Sequence, residues 1–307
     1  MVIDRKDFLE IKDLSADEII YILKTAETMK FILSQKGRTS PMLQGKSVIS
    51  LFYETSDRAR LAYELAAQHL SAAFADITLS TSNGRETLKD MGIMLDQMGA
   101  DFIIIRHSQA GAAKILANNV KASVINAGDG YNENPGQTLL DLMTIMEYKS
   151  DFKGLKVAII GDLIHSRVNK GNIWALTKLG AEVAISGPPA LVPAGIEKFG
   201  VRVYYKASDA VKDADVILSG RINMDEIEEN ALPSLEEYKT FFMIDKELLS
   251  FAKKDAIVMH PGPIKRGIEI SSEVMDSPQC IVSDQLSNSI SVRMAMLYIL
   301  AQGRRIE

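Results

Sequence analysis

Several arginines stand shortly after apolar, β-branched runs of the sequence. Arg58, Arg106, Arg167 and Arg221 each follow such a run within a few residues. The carboxyl ends of parallel strands share one edge of a sheet, where ligands bind, and arginine grips phosphate or carboxylate in a bidentate manner. The spacing therefore predicts sites for small anions. Each arginine on its own also fits an exposed surface position, and spacing alone leaves that alternative open.

The segment Phe52–Arg60 reads FYETSDRAR and predicts a strand that runs through a polar turn into a helix. The free backbone N–H groups and the dipole at a helix start favour a bound anion. Arg58 would add a second, bidentate contact to a phosphate. A capped helix with solvated arginines is the alternative.

A glycine-rich turn is predicted for Asn126–Gly130, at the carboxyl end of another strand. The run NPGQ follows it and begins a helix with a proline, which suits the first helical position. Asn134 and Gln137 would be placed there to hydrogen-bond a carbonyl group. Turn chemistry without any ligand is the alternative.

Two arginines follow different strands of the later part of the chain. Ser166 is placed to cap a helix that begins near Arg167, and Arg221 leads the triplet Arg-Ile-Asn. Two guanidinium groups at one sheet edge can converge on a dicarboxylate. The run Met259–Pro263 reads MHPGP and predicts a rigid turn that presents backbone carbonyls, or a plain strand exit.

Apolar strands alternate with amphipathic helices through most of the chain, which predicts parallel sheets covered by helices on both faces. The predicted strands are Val48–Tyr53, Phe102–Ile105, Ser123–Ile125, Val157–Ile160, Val183–Ser186, Val216–Leu218 and Ala256–Met259. Before them, Ser15 and Glu18 predict a capping box at the start of a helix over 14–33. We expect a domain break near 134–153 and a last helix at Asn288–Gln302.

The bulk properties exclude some classes of protein. The 307 residues carry a net charge of -5, which disfavours nucleic-acid binding. The longest apolar stretches are too short for a membrane span, and the N-terminus lacks the apolar core of a signal peptide. Cys280 is the single cysteine, consistent with a reducing compartment, and no cluster has metal-ligand spacing.

The order and intervals of these motifs together resemble the aspartate/ornithine carbamoyltransferase family, closest to the aspartate branch. The resemblance covers nearly the whole chain. The motifs that carry it are Ser-x-Arg-x-Arg near 56, Arg-His near 106, Asn-Ala-Gly-Asp-Gly near 126, Gln-Thr-Leu-Leu-Asp near 137, Gly-Asp-x-x-His-Ser-Arg-Val near 161, Arg-x-Asn near 221 and His-Pro-Gly-Pro near 260.

The resemblance implies an α/β chain of two Rossmann-like domains linked by helices. Residues 1–134, with the C-terminal helix 288–307, would bind carbamoyl phosphate, and residues 150–287 would bind aspartate or a related amino acid. It also implies carbamoyl transfer without metal or organic cofactor and a homotrimer with shared active sites. We expect a cytoplasmic location, and regulatory or catalytic partner chains are left open.

The resemblance further implies roles for individual residues. Carbamoyl phosphate would be bound by Ser56, Asp57, Arg58, Ala59, Arg85 and Arg106. The catalytic set would be Arg58, Arg106, Asn134 and Gln137. Aspartate would be bound by Arg167, Arg221, Asn223, Gly262 and Pro263.

Some positions depart from the family pattern. The phosphate turn Ser-Thr-Arg-Thr-Arg becomes SDRAR, so that Asp57 and Ala59 replace hydroxyl residues, and Asn134 replaces a histidine. The Ser82–Leu88 loop lacks the family's lysine, for which Arg85 would substitute. Repulsion from an unpaired carboxylate about 4 Å from a phosphate would cost about 4 kcal/mol per unit charge at an effective dielectric of 20. Two interpretations follow: an enzyme with impaired or altered donor use, or an inactive homologue that acts as a binding, assembly or regulatory partner.

Overall fold

The computed structural model describes residues 3–78, 86–222 and 234–303. The chain divides into two compact units, the first formed by Met1–Met143 with Ser287–Glu307 and the second by Thr144–Leu286. Each unit contains one parallel sheet with helices, so the predicted α/β fold is confirmed. No helix in the described ranges has the length and apolar character needed to cross a bilayer.

The secondary structure alternates as predicted. The strands are β1 (Ser47–Phe52), β2 (Ala73–Thr78), β3 (Phe102–His107), β4 (Ser123–Asp129), β5 (Lys156–Ile160), β6 (Glu182–Ser186), β7 (Arg202–Val203), β8 (Val216–Ser219) and β9 (Ile257–Met259). The helices are α1 (Ala16–Ser34), α2 (Asp57–His69), α3 (Leu88–Gln97), α4 (Ala112–Ala117), α5 (Pro135–Lys149), α6 (Arg167–Lys178), α7 (Ala207–Val211), α8 (Leu235–Phe242), α9 (Lys246–Leu249), α10 (Ser272–Met275) and α11 (Val282–Gly303).

Strand order places a crevice in each sheet. The first sheet has the order β2-β1-β3-β4 and the second the order β7-β6-β5-β8-β9, with every pairing parallel. The chain therefore moves to one side of β1 or β5 and later returns to the other side. Ligands bind in the crevice at the carboxyl ends of the strands where this reversal occurs. In these units the crevices lie at β1/β3 and at β5/β8.

The capping box predicted for α1 is present. The Ser15 hydroxyl accepts a hydrogen bond from the Glu18 backbone N–H at 3.2 Å, and the Glu18 carboxylate accepts one from the Ser15 N–H at 2.7 Å. Arg5 also donates to this carboxylate at 2.7 Å, and its side chain holds the pKa of Glu18 down to about 2.

Several sequence predictions were incomplete. β2 and β7 were not predicted, because the first is a mixed polar run and the second has only two residues. β4 continues to Asp129 through the motif expected to form a turn, since the Asn126 side chain makes hydrogen bonds that sustain it. α11 begins at Val282 rather than near Asn288.

The N-terminal segment covers the outer edge of the first sheet. The Phe8 backbone N–H donates to the Val124 carbonyl at 2.9 Å, and the Asn126 N–H donates to the Phe8 carbonyl at 2.9 Å. These bonds form a parallel bridge between Phe8 and Ile125 on β4. The edge is therefore paired along the middle of the strand.

Candidate functional sites

The turn between β1 and α2 is the predicted phosphate cradle. Ser56 is the N-cap residue of α2, but its side chain makes no capping hydrogen bond. Arg58 is exposed to solvent, while Ala59 is buried in the first turn. The helix start at the β1/β3 crevice thus presents a hydroxyl and a guanidinium near backbone N–H groups, as an anion site requires.

The Asp57 side chain at this helix start is exposed to solvent and close to Arg60. Its side chain is 86% exposed and lies 3.7 Å from a guanidinium nitrogen of Arg60. Arg60 is in turn 3.0 Å from the Asp76 carboxylate on the neighbouring strand β2. Water and the Arg60 guanidinium therefore screen the negative charge of Asp57 in the predicted phosphate cradle.

Arg106 lies near the end of β3, on the other side of the same crevice. Its Nη1 donates to the Ala127 carbonyl at 3.1 Å, and its Nε lies 3.3 Å from a Glu54 carboxylate oxygen. Only 17% of the side chain is exposed. The guanidinium is thus held in place from two sides. Glu54 was not predicted to contribute, although it stands inside the motif that contains Ser56.

Asn134 and Gln137 lie at the start of α5, as predicted. The Asn134 Oδ1 accepts a hydrogen bond from the Gln137 backbone N–H at 3.3 Å. The Gln137 side-chain amide donates to Asp141 at 2.9 Å, one turn later. Both amides are therefore fixed relative to the first turn of the helix.

A buried polar network holds the loop that leads to Asn134. The Asn126 amide donates to the Leu9 carbonyl at 2.9 Å and to Asp129 at 2.8 Å. The Glu133 carboxylate accepts hydrogen bonds from the Ile11 and Lys12 backbone N–H groups at 2.5 and 3.4 Å. Burial raises the pKa of Glu133 to about 7. Sequence reasoning did not single out Glu133, whose only signal was its place in the motif.

Glu133 predicts a specific dependence of stability on pH. Because its pKa is raised on folding, its contribution is most favourable below pH 4.5 and is lost as pH rises toward 7. A shift of this size corresponds to about 3 kcal/mol of unfolding free energy. We expect Glu133→Gln to flatten the profile between these values, measured by urea unfolding at a series of pH values.

The matched control for this prediction is Glu27→Gln, which changes an exposed glutamate on α1. The control should retain the slope of the parent protein. A Glu133→Gln profile that runs parallel to the parent would show that Glu133 does not titrate in this range.

In the second unit, glycines at the ends of β5 and β8 allow the two backbones to approach closely. The Gly220 backbone N–H donates to the Ile160 carbonyl at 2.6 Å. Gly161 has a φ of +124°, and a Cβ there would lie 3.2 Å from the Gly220 carbonyl oxygen. This close approach needs glycine at position 161. The loops that leave both strands therefore start side by side.

Asp162 organises the loop after β5. One carboxylate oxygen accepts hydrogen bonds from the Ile164 and His165 backbone N–H groups at 2.9 and 3.0 Å. The other lies 2.7 Å from His165 Nδ1. Ser166 caps α6 by accepting from the Asn169 N–H at 3.1 Å, as predicted, and Arg167 is the first residue of the helix.

Glu269 joins the loop after β8 to the turn after β9. It is fully buried, and its carboxylate accepts hydrogen bonds from the Ile222 N–H at 2.9 Å and the Lys265 N–H at 2.7 Å. His260 Nε2 lies 3.1 Å from the same carboxylate. Because His260 Nδ1 accepts from the Gly262 N–H at 2.8 Å, the ring proton belongs on Nε2.

The predicted acceptor residues lie on these segments. Arg221 is exposed and immediately precedes Ile222. Gly262 is partly buried and Pro263 is exposed, in the turn that Glu269 supports. Glu269 was not singled out from the sequence.

Two predicted residues, Arg85 and Asn223, lie outside the described residues, as does most of the Ser82–Leu88 loop. Within the described ranges, no group of three or more histidine, cysteine, aspartate or glutamate side chains could hold a metal ion.

Two family profiles together span nearly the whole chain. Residues 6–147 match the profile described as "Aspartate/ornithine carbamoyltransferase, carbamoyl-P binding domain". Residues 153–300 match the profile described as "Aspartate/ornithine carbamoyltransferase, Asp/Orn binding domain". The first match ends within the last turn of α5, and the second begins shortly after that helix.

Similar proteins agree with these profiles. The aspartate carbamoyltransferase catalytic subunit of Acetivibrio thermocellus is 52% identical over 304 residues, covering 98% of this chain and 97% of its own. The catalytic subunit of M. jannaschii aspartate transcarbamoylase has a TM-score of 0.86 at 32% identity, covering 99% of this chain and 100% of that chain. Aspartate transcarbamoylase from Trypanosoma cruzi in complex with carbamoyl phosphate and aspartate has a TM-score of 0.84 at 25% identity, covering 95% of each chain.

Proposed function

The chain belongs to the aspartate/ornithine carbamoyltransferase family, and from this premise we propose that it transfers the carbamoyl group of carbamoyl phosphate to the amine of aspartate. The observation that carries the proposal is the location of the predicted residues. Ser56 follows β1 and Arg106 lies near the end of the neighbouring strand β3, at the crevice of the first sheet, and Arg167 and Arg221 follow neighbouring strands at the crevice of the second. These positions fall within the profiles named for the two substrates.

The first unit would bind the donor. The start of α2, with Ser56 and Arg58, would hold the phosphate, and Arg106 would contact both phosphate and carbonyl oxygen. Gln137 would contact the carbamoyl group, and Asn134 would donate a hydrogen bond to the carbonyl oxygen. Arg106 and Asn134 already make contacts within the protein that hold their side chains, so they would stabilise negative charge that develops on that oxygen.

The second unit would bind the acceptor. Arg167 and Arg221, with Asn223, would hold the two carboxylates of aspartate. Backbone groups of Gly262 and Pro263 would orient the amine. The amine nitrogen would then form a bond to the carbamoyl carbon and lose a proton, while the bond from that carbon to the phosphate oxygen breaks and phosphate leaves.

The relatives give no support to impaired donor use or to an inactive homologue, since proteins about 50% identical to this chain are named as catalytic subunits. The exposure of the Asp57 carboxylate and its contact with Arg60 also reduce the expected repulsion of the donor. We therefore propose that the altered turn still accepts carbamoyl phosphate.

The test is direct. Purified protein is mixed with carbamoyl phosphate and aspartate, and carbamoyl aspartate is measured, with the heat of carbamoyl phosphate binding recorded in parallel. We expect saturable product formation. Absence of both product and binding heat would overturn the proposal.

Asp57→Asn gives a finer test of the donor turn. Removal of one screened, solvent-exposed charge is expected to lower the KM for carbamoyl phosphate by about two- to fivefold. The KM for aspartate should stay constant. A fall of a hundredfold or more would show that Asp57 points into the cradle.

The triple change Asp57→Thr, Ala59→Thr and Asn134→His restores the family pattern and should strengthen donor binding further than Asp57→Asn. Because Ala59 is buried, the melting temperature of the triple variant must be measured beside its affinity.

We also propose a homotrimer with shared active sites, located in the cytoplasm. Sedimentation of the purified protein would test the assembly, and a monomer at working concentration would contradict it.

A further inference from the structure

Tyr63 is a buried tyrosine whose hydroxyl has no hydrogen-bond partner among the described residues. It lies on α2, about two turns after the predicted phosphate cradle. Leaving a buried polar group unpaired is unfavourable, so a tyrosine rather than a phenylalanine here calls for a physical reason.

The Tyr63 hydroxyl lies against the first turn of α5. A Cβ added to Gly136 would stand 2.9 Å from the Tyr63 oxygen and 3.7 Å from the Met296 sulfur. Gly136 has no left-handed φ that would require glycine. Glycine inside a helix is unfavourable relative to alanine, so the space taken by Tyr63 explains its presence.

Arg293 packs over the ring of Tyr63. Its guanidinium carbon lies 4.8 Å from the ring centroid, and its Nη1 donates to the Ser289 carbonyl and hydroxyl oxygens at 2.8 and 2.9 Å. Arg293 is buried, and no carboxylate pairs with it in the part of the chain that the structure describes. The ring face is therefore a principal contact of this buried cation.

The contact links the two helices that carry the proposed donor residues. α2 begins with Ser56 and Arg58, and α5 begins beside Asn134 and Gln137. The Tyr63 oxygen touches α5 one residue before Gln137. The spacing of the two helix starts is thus set by the size of the side chains at positions 63 and 136.

We propose that Tyr63, held by Arg293, is a positioning residue that fixes the distance between the start of α2 and the start of α5 for donor binding. This inference rests on the proposed function. Positions 63 and 136 are also coupled. The Tyr63 hydroxyl requires glycine at position 136, and a larger residue at position 136 requires that the hydroxyl be removed.

The test is a double-mutant cycle of Tyr63→Phe, Gly136→Ala and the double variant in the full-length protein. We expect Gly136→Ala to raise the KM for carbamoyl phosphate about tenfold or more, because misplacement of less than an ångström is costly for binding groups. Tyr63→Phe should raise it about threefold, and the double variant should return within about threefold of the parent. The KM for aspartate should change less than that for carbamoyl phosphate in every variant.

Melting temperatures give the second readout. Alanine for glycine inside a helix ordinarily stabilises, so a lower melting temperature in Gly136→Ala, reversed in the double variant, would support the contact. Tyr63→Phe should melt at or above the parent temperature, since it removes an unpaired buried hydroxyl, although its donor affinity falls. A purely structural role for Tyr63 would not separate these two quantities.

The matched control is Gly92→Ala in α3, where an added Cβ would collide with the Leu116 side chain. This variant should lose stability without a selective rise in the KM for carbamoyl phosphate. Additive effects at 63 and 136, or coupling in melting temperature without coupling in the KM, would overturn the inference. If the parent itself neither binds carbamoyl phosphate nor forms product, the proposed function fails first and the donor role falls with it.

Discussion

Replacement of Arg106 by alanine is expected to lower kcat/KM for carbamoyl phosphate by about a thousandfold, the upper end of the scale found when a preorganised donor to a developing oxyanion is removed. Arg106 lies near the end of β3 at the crevice of the first sheet, and its guanidinium is largely buried and held by the Ala127 carbonyl and Glu54. Alanine leaves no donor in its place and leaves Glu54 without this cation. Steady-state formation of carbamoyl aspartate measures the effect.

Two further variants define what Arg106 contributes. Arg106→Lys keeps the charge but loses the planar fork, so it should still lose about a hundredfold. Arg202→Ala, at an exposed position on β7, should leave the rate constant within about twofold of the parent. An Arg106→Ala protein that keeps a tenth of the parent activity would remove Arg106 from the proposed catalytic set.

Glu269→Ala is expected to have the largest effect on stability, a loss of about 3 to 5 kcal/mol in unfolding free energy. The change leaves the Ile222 and Lys265 N–H groups without their acceptor in a site closed to water, and it removes the carboxylate beside His260. Urea unfolding followed by circular dichroism measures the loss.

Glu269 should also affect acceptor binding, because it ties the segment of Arg221 to the turn of Gly262. Glu269→Gln retains the side-chain shape and one good acceptor, so the protein should fold. We expect its KM for aspartate to rise about tenfold while that for carbamoyl phosphate stays within about twofold.

The control is Glu273→Ala on α10, where an exposed glutamate pairs with Lys246 at the surface. Its stability should change by less than about 0.5 kcal/mol. Equal losses in the Glu269 and Glu273 variants would contradict the importance assigned to the buried carboxylate.

The fold was predictable because its signals are local. Apolar runs such as Phe102–Ile105 are buried on both faces of a parallel sheet, and the capping box of Ser15 and Glu18 marks the start of α1. The edge strands gave weaker signals. β2 reads AFADIT, in which Asp76 pairs with Arg60 rather than entering the core, so hydropathy alone does not mark it as a strand.

The places of Arg58, Arg167 and Arg221 after strands, and of Arg106 near the end of β3, were also predictable. Their partners were not. Glu54, Glu133 and Glu269 act through contacts with residues made near only by folding, as between Glu133 and Ile11. The pairing of Tyr63 with Gly136 likewise depends on the packing of α2 against α5, which no sequence interval encodes.

The edges of the two sheets bear on how the protein behaves when concentrated or warmed. An open strand edge acts as a template on which another molecule can add a strand, the first step of aggregation. Here Phe8 pairs with the outer edge of β4 and the Cys280 segment pairs with the outer edge of β9, while β7 has only two residues to which another strand could add. Among the described edge strands, β2 is the longest one without a further pairing on its outer side. A strand that added to β2 would lie beside the charged side chain of Asp76. Aggregation by strand addition should therefore be disfavoured until one of the two units unfolds.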